Sequence, residues 1–175
     1  MFSDPQHNLE QLTIDPGMIV ADLGCGAGNY AIPAAKMAGA TGNVFAVDVQ
    51  QDLLTRLKTE AMQQGVHNSV DVVWGDIDEP QGSTLRPDSV DRVLLANILF
   101  QVEKNEALVT EAYRITKRGG LMLLIDWSDS FGGLGPQSSH IVPMHTAREL
   151  CESAGFTFVR DITAGDHHYG MVFKK

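Results

Sequence analysis

Three aspartates and one run of glycines are the residues whose types and spacing could do chemistry. Val20-Ala-Asp22-Leu-Gly24-Cys25-Gly26-Ala-Gly28-Asn29 sets three alternate glycines directly after an apolar run. A backbone without side chains can approach a nucleoside closely, and the first N–H groups of a following helix are free to meet a polar ligand. Asp48 follows this loop by about 20 residues, a distance at which a carboxylate can accept both hydroxyls of a ribose. Asp76 comes just after a third apolar run, so Asp22, Asp48 and Asp76 all fall at or near the carboxyl ends of strand candidates. Taken singly, none of these is specific. The loop can be a plain strand–helix turn, strand-end aspartates are often merely solvated, and Gly26-Ala-Gly28-Asn-Tyr-Ala31 even fits a dinucleotide pattern.

The combination says more than its parts. A diphosphate would be repelled by an acidic rim, since each close pair of unit charges is worth a few kcal/mol at an effective dielectric near 20. S-adenosylmethionine carries a sulfonium and an ammonium against one carboxylate, so the same rim favours it, and it is the expected cofactor. Two alternatives stand beside a methyl-transferring enzyme. One is an S-adenosylmethionine-binding protein without catalysis, or a subunit that stabilises another enzyme. The other is a nicotinamide-dependent oxidoreductase. For the latter, Tyr113 and Lys117 have a Tyr-x-x-x-Lys spacing, but both fall at the far end of the helix before the fifth strand.

The elements that must position these residues alternate. Strands are expected at 18–23, 44–48, 70–74, 89–96 and 121–125, separated by helices at 29–38, 51–64 and 103–117. A helix at 146–154 and strands at 156–162 and 169–173 close the chain, the last two split by a tight turn at Gly165-Asp166. Alternation predicts a parallel sheet covered on both faces, whereas a tight turn can join only antiparallel strands. The fold class is therefore α/β: a Rossmann-like doubly wound sheet of five parallel strands plus a C-terminal antiparallel hairpin, seven strands in all. Residues 14–175 are expected to form one domain. Residues 1–13 are a candidate lid, with Phe2 folding over the cofactor, and the glycine-rich loop 128–142 is a second.

Composition removes several function classes. The 175 residues carry 13 basic and 22 acidic side chains, a net charge of −9, which disfavours a tight grip on nucleic acid phosphates. The longest apolar run, 93–100, is broken by Asn97 and too short to cross a bilayer. The first residues lack the pattern of a secretory signal, so a cytoplasmic location is expected. Cys25 and Cys151 form neither a metal-spaced pair nor a disulfide framework, and His140, His145, His167 and His168 lack zinc-site spacing, so no metal is expected.

With these residues in view, the sequence resembles the class I S-adenosylmethionine-dependent methyltransferases, in particular their small ubiquinone-biosynthesis-like branch. Residues 16–28 resemble the family's first motif, Val47-Asp48-Val49 its ribose-binding strand end, and Gly75-Asp76-Ile77 its adenine-binding segment. Residues 95–102 and 112–121 resemble the motif after the fourth strand and the approach to the fifth. The resemblance implies that Gly24, Gly26 and Gly28 line the methionine portion, with Cys25 packed between them in the cofactor site and Asp22 near the amino group. It places Asp48 on the ribose, Val49 and Ile77 beside the adenine, Asp76 on the adenine amino group and Asn97 near the sulfonium. It supplies no universal catalytic residue, because an activated methyl group needs mainly a positioned acceptor. Phe100, Gln101, Trp127 and His140 are the acceptor-side candidates. A small-molecule acceptor is expected, its identity and the oligomeric state being left open.

Overall fold

The structure is a computed structural model that describes residues 3–131, 133 and 135–175. Seven strands form one sheet: β1 (Ile19–Leu23), β2 (Asn43–Asp48), β3 (Val70–Trp74), β4 (Val90–Ala96), β5 (Thr116–Trp127), β6 (Thr157–Ile162) and β7 (His168–Lys174). Their spatial order is β3-β2-β1-β4-β5-β7-β6. β1 pairs in parallel with both β2 and β4, whereas β7 runs antiparallel to its neighbours β5 and β6. The order therefore reverses at β1, and a doubly wound sheet opens its ligand crevice at such a switch point.

Five helices cover the sheet: α1 (Pro5–Glu10), α2 (Ala31–Ala38), α3 (Gln51–Gln63), α4 (Asn105–Ile115) and α5 (Met144–Ser153). Central strands bury both faces. Leu94 packs under α1, α2 and α3 with Leu9, Leu12 and Leu57, while its neighbour Leu95 packs with Leu108 and Ala112 of α4. All seven are essentially inaccessible. Burial of a leucine side chain contributes about 1.5–3 kcal/mol, so these two layers fix the height of every strand end. No helix among the described residues is long and apolar enough to cross a membrane.

Two local departures from the sequence reading matter. Residues 5–10 form a helix, because Asp4 caps it by accepting from the Gln6 and His7 amides and Pro5 occupies its first turn. Leu9 and Leu12 carry it into the core, and Gln11 ties it to the β6–β7 connection through two bonds with Thr163. The expected role of Phe2 lies outside the described residues. The second departure is β5, which begins at Thr116 and not at residue 121. Gly119-Gly120, read as a helix stop, sits instead within the strand, where the pairing with β4 jumps from Val90–Thr116 to Arg92–Leu121.

Candidate functional site

The carboxyl ends of β1, β2 and β4 frame a trough around the glycine loop. Its larger half, a cavity of about 250 Å³, is lined by Asp48, Val49, Leu53, Asp76, Ile77, Ile98 and Val102, among others. Its smaller half, about 160 Å³, is lined by Asp22, Cys25, Asn29, Tyr30, Ala96 and Asn97. Gly24, Gly26 and Gln101 belong to both halves.

The loop keeps its shape through β2. The Gly24 and Cys25 amides donate to the Val47 carbonyl at 2.9 and 3.0 Å. The Asp48 carboxylate accepts from the Gly26 amide and from the Gln50 amide, each at 2.9 Å. Glycine is required at two points by close approach as well as by φ. A Cβ at Gly24, where φ is +76°, would lie 2.5 Å from Ile98 Cδ1, and one at Gly28, where φ is +94°, would lie 2.8 Å from Leu57 Cγ.

The smaller half has a different character. Asp22 is buried at the end of β1, and its Oδ2 has no hydrogen-bond partner. Burial, reinforced by the nearby Asp48 charge and only partly offset by the Ala31 amide, pushes the Asp22 carboxyl up to about 7. Asn97 Oδ1 is also without a partner, and its backbone is held at φ +56°. Cys25 is buried beside both acids, and that burial, followed by the Asp22 and Asp48 charges, pushes its thiol far up. It is no nucleophile here.

A glycine-lined, acidic trough at the switch point of this sheet order now has a sequence counterpart, since the methyltransferase-domain family model matches residues 20–120. The chain belongs to the class I S-adenosylmethionine-dependent methyltransferase family. Among similar proteins, a ubiquinone/menaquinone biosynthesis C-methyltransferase UbiE of Hydrogenovibrio crunogenus is 27% identical over 123 residues, covering 70% of this chain and 47% of that protein. A probable cobalt-precorrin-6B C(15)-methyltransferase of Saccharolobus solfataricus is 24% identical over 116 residues, 66% of this chain and 56% of that one. The chain thus spans about half the length of the curated relatives it matches. The crystal structure of an S-adenosylmethionine-dependent methyltransferase from Aquifex aeolicus superposes with a TM-score of 0.87 at 24% identity, over 98% of this chain and 89% of that one, and shows the same fold.

In this chain the sequence-predicted residues divide. Asp22, Gly24, Cys25, Gly26, Asp48, Val49, Asp76, Ile77, Asn97 and Gln101 converge on the trough. Gly28 lies behind the loop against Leu57, and Gly75 supports from below, its amide donating to the Asp48 carbonyl at 3.1 Å. Phe100, Trp127 and His140 line neither half. Trp127 packs at a tilt on His168 with ring centres 4.3 Å apart, and Gly135 lies close against its indole. His140 is exposed in a short 3-10 turn.

Sequence reasoning missed Leu53, Ile98 and Val102, the apolar walls of the larger half, because each looks like ordinary core. It missed Tyr30, whose hydroxyl accepts from Asn8 of α1 at 2.9 Å, because the helix that brings Asn8 there was not foreseen. It also missed Asp126 near the end of β5. That buried carboxylate accepts from the amides of Ile98, Leu99 and Trp127.

Proposed function

We propose that this chain binds S-adenosylmethionine in the trough and transfers its methyl group to a small-molecule acceptor. The observation that carries this reading is the pair of unpartnered acceptors in the smaller half, Asp22 Oδ2 and Asn97 Oδ1. Buried polar groups are normally hydrogen-bonded, so the ligand that completes these two must donate hydrogen bonds, and the Asp22 carboxylate favours one that bears positive charge. The ammonium end of the cofactor does both.

The remaining lining fits the rest of the molecule. Each Asp48 oxygen already accepts one backbone amide and keeps lone pairs for the ribose hydroxyls. Val49, Leu53, Ile77 and Val102 offer apolar surface to the adenine, with Asp76 at its amino edge. When bound, the cofactor supplies a methyl group on a sulfonium whose thioether leaves without needing a proton. The protein's own work is to orient the acceptor at that methyl and keep water away. Besides aspartates, the titratable groups of the trough lining are Cys25 and Tyr30, both pushed up by burial first of all. Among the described residues no histidine or lysine lines either half, and Asp22 is assigned to the cofactor's ammonium, so we assign no general base, which suits an acceptor that brings its own reactive lone pair or carbanion. Relatives named for the methylation of a ubiquinone/menaquinone precursor and a cobalt-precorrin support a small-molecule acceptor.

Thermal melting tests the reading. At 100 times its dissociation constant, a ligand of the native state adds about 2.7 kcal/mol, which at this chain length is a rise of roughly 5–10 °C. S-adenosylmethionine and S-adenosylhomocysteine should each produce it and NADH should not. A rise with NADH alone would overturn the assignment. Release of S-adenosylhomocysteine in a screen of oxygen, nitrogen, sulfur and carbon acceptors then separates an enzyme from a binding protein.

A further inference from the structure

The turn after β4, like the glycine loop, touches both halves of the trough, and what holds it lies on another strand. Its residue Asn97 faces the smaller half with its backbone at φ +56°, a conformation that asparagine tolerates but does not prefer. Ile98 walls the larger half and is wedged against the bare Cα of Gly24. The Asn97 amide is anchored to the Ile125 carbonyl of β5 at 2.8 Å. The next two amides, of Ile98 and Leu99, meet Asp126 Oδ2 at 3.1 and 2.8 Å and no other acceptor among the described residues. Asp126 Oδ1 takes the Trp127 amide at 2.8 Å. One carboxylate, 1% exposed, thus satisfies three amides, two of them belonging to the turn.

We infer that Asp126 is a positioning residue for cofactor binding, its buried carboxylate holding the Asn97–Leu99 turn in the shape that closes both halves of the trough. The inference rests on the methyltransferase reading and deepens it, since Asp126 touches neither half itself. An ionised acceptor is needed. An amide in its place turns one of its two heavy atoms into a donor and cannot serve all three amides, and a protonated carboxyl serves them less well, its hydroxyl oxygen being a weaker acceptor with a proton of its own to place. Burial pushes the Asp126 carboxyl up to about 6, against the three amides that favour its charge. The titratable groups packed on that side are Tyr169 of β7 and Cys151 of α5. Both are pushed up, chiefly by burial, and the Tyr169 hydroxyl is engaged with the Val142 carbonyl at 3.0 Å. Loss of the charge therefore couples to the turn and not to a neighbouring ion pair.

Two measurements test this, both using S-adenosylhomocysteine as the probe. In calorimetry at pH 7.5, Asp126→Asn should bind about tenfold more weakly or worse, a loss in the range of leaving a buried amide unsatisfied. Asp91→Asn is the comparison. Asp91 accepts from the Ile19 amide and Lys117 at the opposite end of the sheet, so this variant should lose stability and keep its affinity. The second measurement needs no variant. The Ile98 and Leu99 amide resonances of the wild-type chain should titrate together with a midpoint near pH 6. Because coupling is reciprocal, a tenfold preference of the probe for the ionised form lowers that midpoint by one pH unit. Wild-type affinity in Asp126→Asn, or a midpoint that the probe does not move, overturns the inference while leaving the methyltransferase reading intact. Failure of the wild-type chain to bind the probe at all overturns both.

Discussion

Replacing Asp22 by asparagine should make the ligand-free protein more stable and the liganded protein less so. The ordinary value of such a carboxyl is 3.8, and in the fold it is held at about 7. Because the folded value is raised, the folded chain binds a proton that the unfolded chain has released. Stability therefore falls as pH rises from about 4 to about 7, and the full penalty stands above pH 7. At 1.36 kcal/mol per pH unit the penalty amounts to about 4 kcal/mol. The side chain is 2% exposed, so solvent screening removes little of it. Asparagine abolishes it, which at pH 8 raises the melting temperature by up to roughly 16 °C, with the gain vanishing near pH 4. The same substitution withdraws the charge expected to meet the cofactor's ammonium. Melting curves from pH 4 to 8.5, with and without S-adenosylhomocysteine, read both effects. The ligand-induced rise should grow with pH through 7 in the wild type and be small and flat in the variant. A variant no more stable than the wild type at pH 8, or one that responds equally to ligand, would refute the electrostatic account of this half of the trough.

Three further outcomes are expected. Gly24→Ala should abolish measurable S-adenosylhomocysteine binding in calorimetry, since the new Cβ would lie 2.5 Å from Ile98 Cδ1. Adding Ile98→Ala should restore only part, because backbone strain of about 1–2 kcal/mol at positive φ remains. Asp48→Ala removes the acceptor of the Gly26 and Gln50 amides, and should both eliminate binding and lower the melting temperature, each charge-assisted bond contributing about 1.5–3 kcal/mol. Glu111→Ala should cost about 3–5 kcal/mol in chemical denaturation while leaving affinity unchanged. It strips Arg114 and Ser83 of their partner on the face away from the smaller half. Burial pushes the Glu111 carboxyl up, but Arg114 and Ser83 outweigh it and hold it below its ordinary value. Its contribution is thus present above pH 4.5 and lost as pH falls further.

What was legible in the sequence was whatever repeats or touches. The β–α alternation specified five parallel strands because strands buried on both faces read as unbroken apolar runs. The closing hairpin followed because Gly165-Asp166 leaves no room for a crossover. The glycine loop and the aspartates that follow three strands were visible because a bare backbone and a rim of charge need particular residue types. Two of the features that were not visible show why. Gly119-Gly120 has the same composition whether it ends a helix or bulges a strand, and only the pairing with β4 decides between them. Asp126 follows directly on Ile125, where the apolar run of the fifth strand appeared to stop, and its partners are backbone amides of another strand's turn. A contact from side chain to distant backbone imposes no spacing on the sequence.

That asymmetry bears on how the acidic rim works. Its carboxylates are not equivalent, although a sequence pattern treats them alike. Asp48 is buried and accepts one amide on each oxygen, keeping lone pairs for a ligand, whereas Asp126, behind the trough, spends its carboxylate on three amides of the fold. Asp22 has an equally buried oxygen with nothing to bind. An unmet acceptor in a low-dielectric site costs stability in the free protein, and the same deficit becomes affinity when a cation arrives to meet it. A rim built only of saturated carboxylates would be more stable and would discriminate poorly between a cationic nucleoside and a neutral one. On the proposed reading, Asp22 is therefore expected to contribute most to discrimination by charge, while Asp48 and Asp126 hold the shape of the trough.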